Sequence, residues 1–131
     1  MPVPEPANRP VRVLVVEDNV DAAETLSDLL TLWGYEVEVV HDGQAAIETA
    51  PRFRPHAVLL DIGLPRMNGY DVARWLRRDA GLAGVLLVAI TGYGQESDRE
   101  RGREAGFDHH LVKPVDLEVL RRLLAELASR G

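Results

Sequence analysis

The chain has 131 residues, 46% of them hydrophobic, which is the size and composition of one ordinary globular domain. Its formal net charge of −6 argues against non-specific binding to nucleic acid or to an acidic membrane surface, and the absence of cysteine excludes disulfides, thiol nucleophiles and thiolate metal sites. Because no apolar stretch is long enough to span a bilayer and no leader is recognisable, we expect a soluble, cytoplasmic protein with no membrane or nucleic-acid partner.

Residues 1–10 hold four prolines and show no periodicity, so we predict a tail or linker there and one domain over residues 11–131. Strand-like and helix-like segments alternate along the rest of the chain. Strands are predicted over 11–16, 36–40, 57–61, 85–90 and 107–112. Helices are predicted over 19–33, 43–50, 69–79, 95–105 and 116–129.

Helical spacing of apolar residues predicts which side of each helix faces the core. Asn19 is placed to cap the first helix and Gly34 to end it. The residues predicted to face inward are Leu26, Leu29, Leu30 and Trp33 in the first helix, Val72, Trp75 and Leu76 in the third, and Leu117, Leu120, Leu123, Leu124 and Leu127 in the fifth. The fourth helix is polar on every side, so we expect it to be the least stable element.

Five strand–helix units joined by short connections predict an α/β fold. Right-handed crossovers place the helices on both faces of a parallel sheet, which gives a three-layer sandwich. In open sheets of this kind, ligand-binding and catalytic sites lie just beyond the carboxyl ends of the strands.

Polar residues with useful chemistry follow four of the predicted strands. Glu17 and Asp18 follow the first strand, Asp61 ends the third, Thr91 ends the fourth and Lys113 ends the fifth. Each of these residues alone has an ordinary structural explanation, such as a helix cap or a solvated strand end. Together, in this order along the chain, they predict one site at the edge of the sheet.

The acidic residues of this group suggest a metal and a nucleophile. Asp18 and Asp61, with Glu17 binding directly or through water, would suit a hard divalent cation such as Mg²⁺, which prefers one or two carboxylates together with waters and phosphate oxygens. The carboxylate of Asp61 can attack a phosphorus centre and form an acyl phosphate. A cation would screen the repulsion between the two anions.

The chain from about residue 11 to residue 128 resembles a response-regulator receiver domain of two-component signalling. The resemblance rests on Val-Leu-Val-Val-Glu-Asp-Asn at 13–19, Asp-Ile-Gly-Leu-Pro-Arg-Met-Asn-Gly at 61–69, Thr91-Gly92 and Lys113-Pro114. It implies a flavodoxin-like (βα)5 sheet with strand order 2-1-3-4-5.

The resemblance also implies a role for each site residue. Asp61 would accept a phosphoryl group from a phosphohistidine of a histidine kinase or histidine phosphotransfer protein. Mg²⁺, or Mn²⁺ in its place, would be held by Asp18, Asp61 and the backbone carbonyl of Gly63, with Glu17 helping through water. Thr91 and Lys113 would contact the phosphoryl group, and movement of Thr91 would reshape the surface of the fourth helix, fifth strand and fifth helix.

Two residues depart from the usual family pattern. Glu17 stands where the family more often has Asp, and we expect metal binding to survive this change. His110 stands where the family usually has Tyr or Phe, the aromatic residue that swings inward as a switch when Thr91 moves. The alternative is that His110 is a partly exposed strand residue with no role in switching.

Tyr93 and Gly63 flank the expected line of attack by water on the phosphoryl group, and Tyr93 is predicted to shield that group.

The main prediction is a signalling switch with no output domain on this chain, catalysing only its own phosphorylation and autodephosphorylation. The principal alternative is a degenerate receiver that binds a partner without being phosphorylated. A phosphatase with an aspartyl nucleophile would need a second carboxylate at position 63, which is glycine, and an acidic loop at 17–19 would repel the phosphate of a flavin. The kinase, stimulus, target and oligomeric state are left open.

Overall fold

The computed structural model describes residues 10–92 and 99–129. Its five strands form one parallel sheet in the order β2-β1-β3-β4-β5, which confirms the predicted flavodoxin-like fold. The strands are β1 (Arg12–Val16), β2 (Glu36–Val40), β3 (Ala57–Asp61), β4 (Leu86–Thr91) and β5 (His109–Val112).

Five helices connect or follow the strands, and each predicted helix is found. They are α1 (Val20–Leu32), α2 (Gly43–Phe53), α3 (Gly69–Arg78), α4 (Arg99–Ala105) and α5 (Leu117–Ser129). The predicted start of the fourth helix, residues 95–98, lies outside the described residues. None of the helices in the described ranges is long and apolar enough to cross a membrane.

Alternate side chains of the strands build two separate cores, one on each face of the sheet. Leu14 of β1 and Leu60 of β3 belong to the core that also contains buried residues of α2 and α3. Val15 and Leu59, one position away on the same strands, belong to the core that contains Leu30, Leu120 and Leu124 of α1 and α5. This period of two is what a strand buried on both faces requires, and it produces the three-layer sandwich.

Polar residues begin the first two helices, and Asn19 does so at the predicted position. The Asn19 side chain accepts a hydrogen bond from the N–H of Ala22 at 2.9 Å, and Asp42 does the same for Ala45 at 2.7 Å. Gly34 follows the end of α1 with φ of 101°, a left-handed conformation that favours glycine. The sequence therefore predicted the start and end of α1 correctly.

The structure corrects the predicted end of the second helix. α2 continues to Phe53, three residues beyond the predicted end, and includes Pro51. A proline in the last turn removes the N–H of one residue only, and the N–H of Arg54 still donates to the carbonyl of Ala50 at 2.8 Å. The second helix therefore tolerates a proline in its last turn and ends three residues later than predicted.

The structure also corrects the fifth strand and the fifth helix. Phe107 is buried but precedes β5, because its N–H donates to the carbonyl of Gly102 and closes the end of α4. Leu117, predicted to face inward, is 48% exposed in the first turn of α5. Leu120 and Leu124 are fully buried, so the apolar stripe of α5 starts one turn later than predicted.

The buried residues of helix α4 are small. Among residues 100–105, only Gly102 and Ala105 are buried, whereas the charged residues between them are exposed. A helix with so little buried apolar surface gains little from packing, which agrees with the predicted low stability of this element.

Arg77 of α3, whose side chain is 24% exposed, links the two loops that precede β4 and β5 at the amino-terminal edge of the sheet. Its guanidinium donates to the carbonyl of Gly106 through two nitrogens, at 3.0 and 2.7 Å. It also donates to the carbonyls of Ala83 and Val85 at 2.9 and 2.6 Å, and forms an ion pair with Asp108 at 2.8 Å. One side chain thus holds the ends of α3 and α4 against the start of β4.

Replacing Arg77 by methionine is expected to lower the free energy of unfolding by about 2–4 kcal/mol, because several part-buried carbonyl groups lose their donors together. The neighbouring Arg78 is exposed, so Arg78→Met should change stability by no more than about 0.5 kcal/mol. Urea denaturation of both variants measures the difference. Equal effects would mean that the contacts of Arg77 add nothing to stability.

Candidate functional site

The sheet order brings the carboxyl ends of four strands to one edge. Because β1 lies beside β3, β3 beside β4 and β4 beside β5, the residues that end these strands are neighbours. Asp61 is the last residue of β3 and Thr91 the last of β4, while Glu17 and Lys113 directly follow β1 and β5. The structure therefore brings together four of the residues that the sequence singled out.

Lys113 joins the two buried carboxylates of this edge. Its Nζ lies 2.7 Å from Oε1 of Glu17 and 3.2 Å from Oδ2 of Asp61. The carboxylate side chains are each 9% exposed, whereas the lysine side chain is 35% exposed. A single ammonium group thus offsets two carboxylates that have lost most of their contact with water.

The carboxylate of Asp61 is held on both sides. Oδ1 accepts a hydrogen bond from the N–H of Gly63 at 2.8 Å, while Oδ2 faces Lys113. The N–H of the next residue, Ile62, donates to the carbonyl of Ile90 and so continues the pairing of β3 with β4 beyond the strand. Asp61 therefore projects from a rigid strand end with its orientation fixed by two donors.

Thr91 lies beside this pair with its hydroxyl buried. The residue is 2% exposed, and Oγ1 makes no hydrogen bond within the described part of the chain. Its carbonyl accepts the N–H of Lys113 at 2.7 Å, which ties the ends of β4 and β5 together. Tyr93, predicted to shield the site, lies outside the described residues.

The donor set suits a hard cation. One carboxylate oxygen from each of Glu17, Asp18 and Asp61 can be chosen so that all three lie within 4.8 Å of one another. Asp18 is exposed, whereas the other two acids are buried. Oxygen ligands at this spacing, open to water on one side, fit the way Mg²⁺ is bound in proteins.

Comparison with known proteins agrees with this arrangement. A family model described as the response regulator receiver domain matches residues 13–125. The chain belongs to this family.

Three relatives illustrate the range of proteins that share this receiver domain. The polar-differentiation response regulator DivK of Brucella anthropi is 33% identical over 108 residues, which are 82% of this chain and 88% of DivK. The response regulator MprA of Mycolicibacterium vanbaalenii is 38% identical over 92% of this chain, which spans about half of MprA, 52% of its length. A crystal structure of the receiver domain of the sensor histidine kinase PA1611 from Pseudomonas aeruginosa PAO1, with a magnesium ion coordinated in its active site cleft, is 32% identical with a TM-score of 0.82, covering 92% of this chain and 99% of that one.

The pKa values of Glu17 and Lys113, which form an ion pair in this receiver domain, are both raised. A raised pKa favours the neutral form of a glutamate but the charged form of a lysine. Burial raises the pKa of Glu17, which opposes its charged form, although the hydrogen bond from Lys113 lowers it. Burial alone would lower the pKa of Lys113, but hydrogen bonds to Glu17 and Asp61 outweigh burial and raise it. The nearby carboxylate of Asp61 raises the pKa of both groups, so it favours the charged lysine but opposes the charge of Glu17. The 2.7 Å contact between Lys113 and Glu17 favours the charged pair.

In metal-free buffer, we expect the stability of the receiver domain to fall as the pH rises above about 10.5, the usual pKa of lysine. A group whose pKa is raised in the folded state binds its proton more tightly there, so its contribution is complete below the unfolded pKa and is lost above it. Burial also raises the pKa of Tyr35, whose usual value is 10.0, so Tyr35 acts in the same direction.

Denaturation curves measured from neutral to strongly alkaline pH would separate these two groups. Lys113→Met removes one of the two titrating groups, so the stability of this variant should fall less steeply at alkaline pH. Tyr35→Phe removes the other group and should have the same effect. If the pH dependence of both variants matched that of the wild type, neither group would be responsible.

The structure places the two adjacent histidines of β5 on different sides, as predicted from strand alternation. His109 is exposed. The ring of His110 is part-buried and makes an edge contact with Phe107, with ring centroids 5.8 Å apart. His110 also lies so close to Gly102 of α4 that a Cβ on that glycine would clash with Cε1 of the ring. The role of His110 as a switch stays a prediction.

Two contacts of the site were missed by reasoning from sequence. Lys113 was expected to contact a phosphoryl group on Asp61, but its shorter contact in the structure is with Glu17. His41, which follows β2, donates from Nδ1 to the carbonyl of Glu17 at 2.9 Å. Because β2 is the other neighbour of β1, a search of every strand end at this edge would have found His41.

Proposed function

We propose that this receiver domain is a phosphorylation-dependent switch, in which Asp61 accepts a phosphoryl group from the phosphohistidine of a histidine kinase or histidine phosphotransfer protein. The observation that carries the proposal is the buried carboxylate of Asp61, held between the N–H of Gly63 and the ammonium of Lys113. Family membership supports the same conclusion, since the matched region includes every residue of this site.

The transfer is a displacement at phosphorus. One carboxylate oxygen of Asp61 attacks the phosphorus atom, the bond from phosphorus to the imidazole nitrogen of the donor breaks, and its electron pair stays on that nitrogen. Lys113 contributes positive charge beside the attacked group, because its Nζ already lies 3.2 Å from Oδ2 of Asp61. The product is an acyl phosphate on Asp61.

We propose Mg²⁺ as the resident cofactor, with Mn²⁺ as a substitute, held by Asp18, Asp61 and the carbonyl of Gly63, and by Glu17 through water. The three carboxylates that lie within 4.8 Å of one another support this assignment. A bound divalent cation would supply positive charge that screens the approach of the anionic phosphoryl group to the carboxylates. The ion pair between Glu17 and Lys113 would have to loosen for Glu17 to take part.

Thr91 is proposed to detect phosphorylation by forming a hydrogen bond with the phosphoryl group. Its buried hydroxyl lacks a hydrogen-bond partner within the described ranges, and a phosphoryl oxygen on Asp61 would provide one. Moving Thr91 toward that oxygen would move the residues after β4 and so bias the surface formed by α4, β5 and α5. His110, a residue of β5 whose ring lies against Gly102 of α4, is proposed to respond to that movement.

Intact mass spectrometry after incubation with acetyl phosphate and Mg²⁺ tests this proposal. The expected result is the addition of one phosphoryl group, lost when EDTA replaces Mg²⁺. If no adduct forms with acetyl phosphate or with a phosphorylated histidine phosphotransfer protein, the domain is a degenerate receiver that binds partners without phosphorylation. Magnesium titration followed by tryptophan fluorescence would then show whether the metal site still functions.

A further inference from the structure

A second pocket lies at the opposite edge of the sheet from Asp61, where the strands begin. It has a volume of about 240 Å³. Three of its lining residues are basic, namely Arg12 at the start of β1, Arg54 after α2 and His56 before β3. The other residues that line it are Pro55, Gly81, Gly84, Val85 and Leu127. Among the described residues that line the pocket, none is a carboxylate, although the chain has a net charge of −6.

Arg12 is held in place by the backbone. Its Nε donates to the carbonyls of Phe53 and Arg54 at 3.0 and 2.8 Å. The two terminal nitrogens make no hydrogen bond or ion pair with the residues that the structure describes. The guanidinium group is therefore oriented in advance, while its terminal donors stay available for a ligand.

His56 is fixed in the form that donates from Nε2. The backbone N–H of Arg12 donates to Nδ1 of His56 at 2.9 Å, so Nδ1 is an acceptor and a neutral ring carries its proton on Nε2. Burial lowers the pKa of His56, and the positive charge of Arg12 lowers it further, which keeps the ring neutral at physiological pH. The backbone N–H of His56 donates in turn to the carbonyl of Arg12 at 2.8 Å.

Arg54 supplies a second guanidinium group. Its side chain lies against Gly81, where an added Cβ would be 3.4 Å from Nη1 and 3.6 Å from Nη2. Asp79 is near the same glycine, but its Oδ1 accepts the N–H of Gly81 at 2.9 Å and no ion pair joins it to Arg54 in the described ranges. The charge of Arg54 is thus left without a carboxylate partner there.

We infer that this pocket, formed by Arg12, Arg54 and His56, binds a phosphate group, either free inorganic phosphate or the phosphate of a small monoester. Two guanidinium groups match the two negative charges of phosphate, and their planar forks suit its oxygens. The N–H of the neutral histidine adds a further donor. The pocket is separate from the site around Asp61, because it lies at the other end of the strands.

Titration of the metal-free protein with inorganic phosphate and with glycerol phosphate, followed by the NMR signals of the His56 ring, tests this inference. Chloride at matched ionic strength is the reference. We expect saturable shifts of the His56 signals with phosphate. Equal affinity for the two ligands would identify the free phosphate group as sufficient, and tighter binding of glycerol phosphate would point to a monoester.

Arg54→Gln is expected to weaken binding by about tenfold, since one charged hydrogen-bonding group is lost. Arg52→Gln is the matched control, because Arg52 is an exposed arginine in the last turn of α2, two residues before Arg54, and does not line the pocket. Gly84→Asp adds a carboxylate where nothing lies within 4 Å and should abolish binding without altering the basic residues. Equal weakening by Arg52→Gln, or an absence of saturable shifts, would overturn the inference.

Discussion

Replacing Asp61 by asparagine is expected to abolish the phosphoryl adduct completely while leaving the domain folded. Asparagine keeps the shape of aspartate, and its side-chain oxygen can still accept the N–H of Gly63. It has no carboxylate to attack phosphorus, so transfer cannot begin. The change also removes one of two buried acids that share Lys113, so we expect the melting temperature to hold or rise.

Two other acids show whether the effect belongs to Asp61 alone. Asp71→Asn makes the same chemical change at an exposed residue of α3, and the adduct should form as in the wild type. Asp18→Asn removes an exposed member of the acidic cluster, and the adduct should form only at a higher Mg²⁺ concentration. An adduct retained in Asp61→Asn, followed by intact mass and peptide mapping, would place the phosphoryl group on another residue.

The proximity of the site residues could be predicted from the sequence, because residues that end neighbouring parallel strands all lie at the same edge of the sheet. Glu17 and Lys113 directly follow β1 and β5, Asp61 is the last residue of β3, and all parallel strands end at the same edge. Reading the four strand ends together was therefore enough to predict that these side chains would meet. The order of the strands came only from family resemblance, since strand periodicity does not say which strands are neighbours.

Contacts that depend on side-chain geometry could not be predicted in the same way. Arg77 lies on a helix whose apolar spacing says nothing of its partners, yet it joins Gly106 and Val85 from separate loops. The shorter contact of Lys113 with Glu17 depends on the reach of a glutamate, a difference of one methylene from aspartate. Leu117 fits the helical spacing of α5 but falls in a first turn that extends beyond the core.

Gly69→Ala is expected to be the most destabilising single substitution close to the site. A Cβ on Gly69 would lie 2.7 Å from Cα of Ile62 and 3.2 Å from the carbonyl oxygen of Asp61, and both atoms are backbone. A rotamer change cannot relieve such contacts, so α3 or the end of β3 must move. We expect a loss of about 2–4 kcal/mol, at or above the upper end of the usual range for overpacking.

Gly84→Ala is the matched control for this substitution, because nothing lies within 4 Å of its added Cβ and its φ is not positive. The same change of residue should there be neutral or stabilise by up to about 1 kcal/mol, since it restricts the unfolded chain. Urea denaturation of both variants gives the comparison. Because the displaced backbone of Gly69→Ala carries Asp61, phosphorylation by acetyl phosphate should also slow in this variant. Equal stability of the two variants would show that the backbone at the end of β3 can move to accommodate the added Cβ at little cost. Asp61 would then be held less rigidly than its contacts indicate.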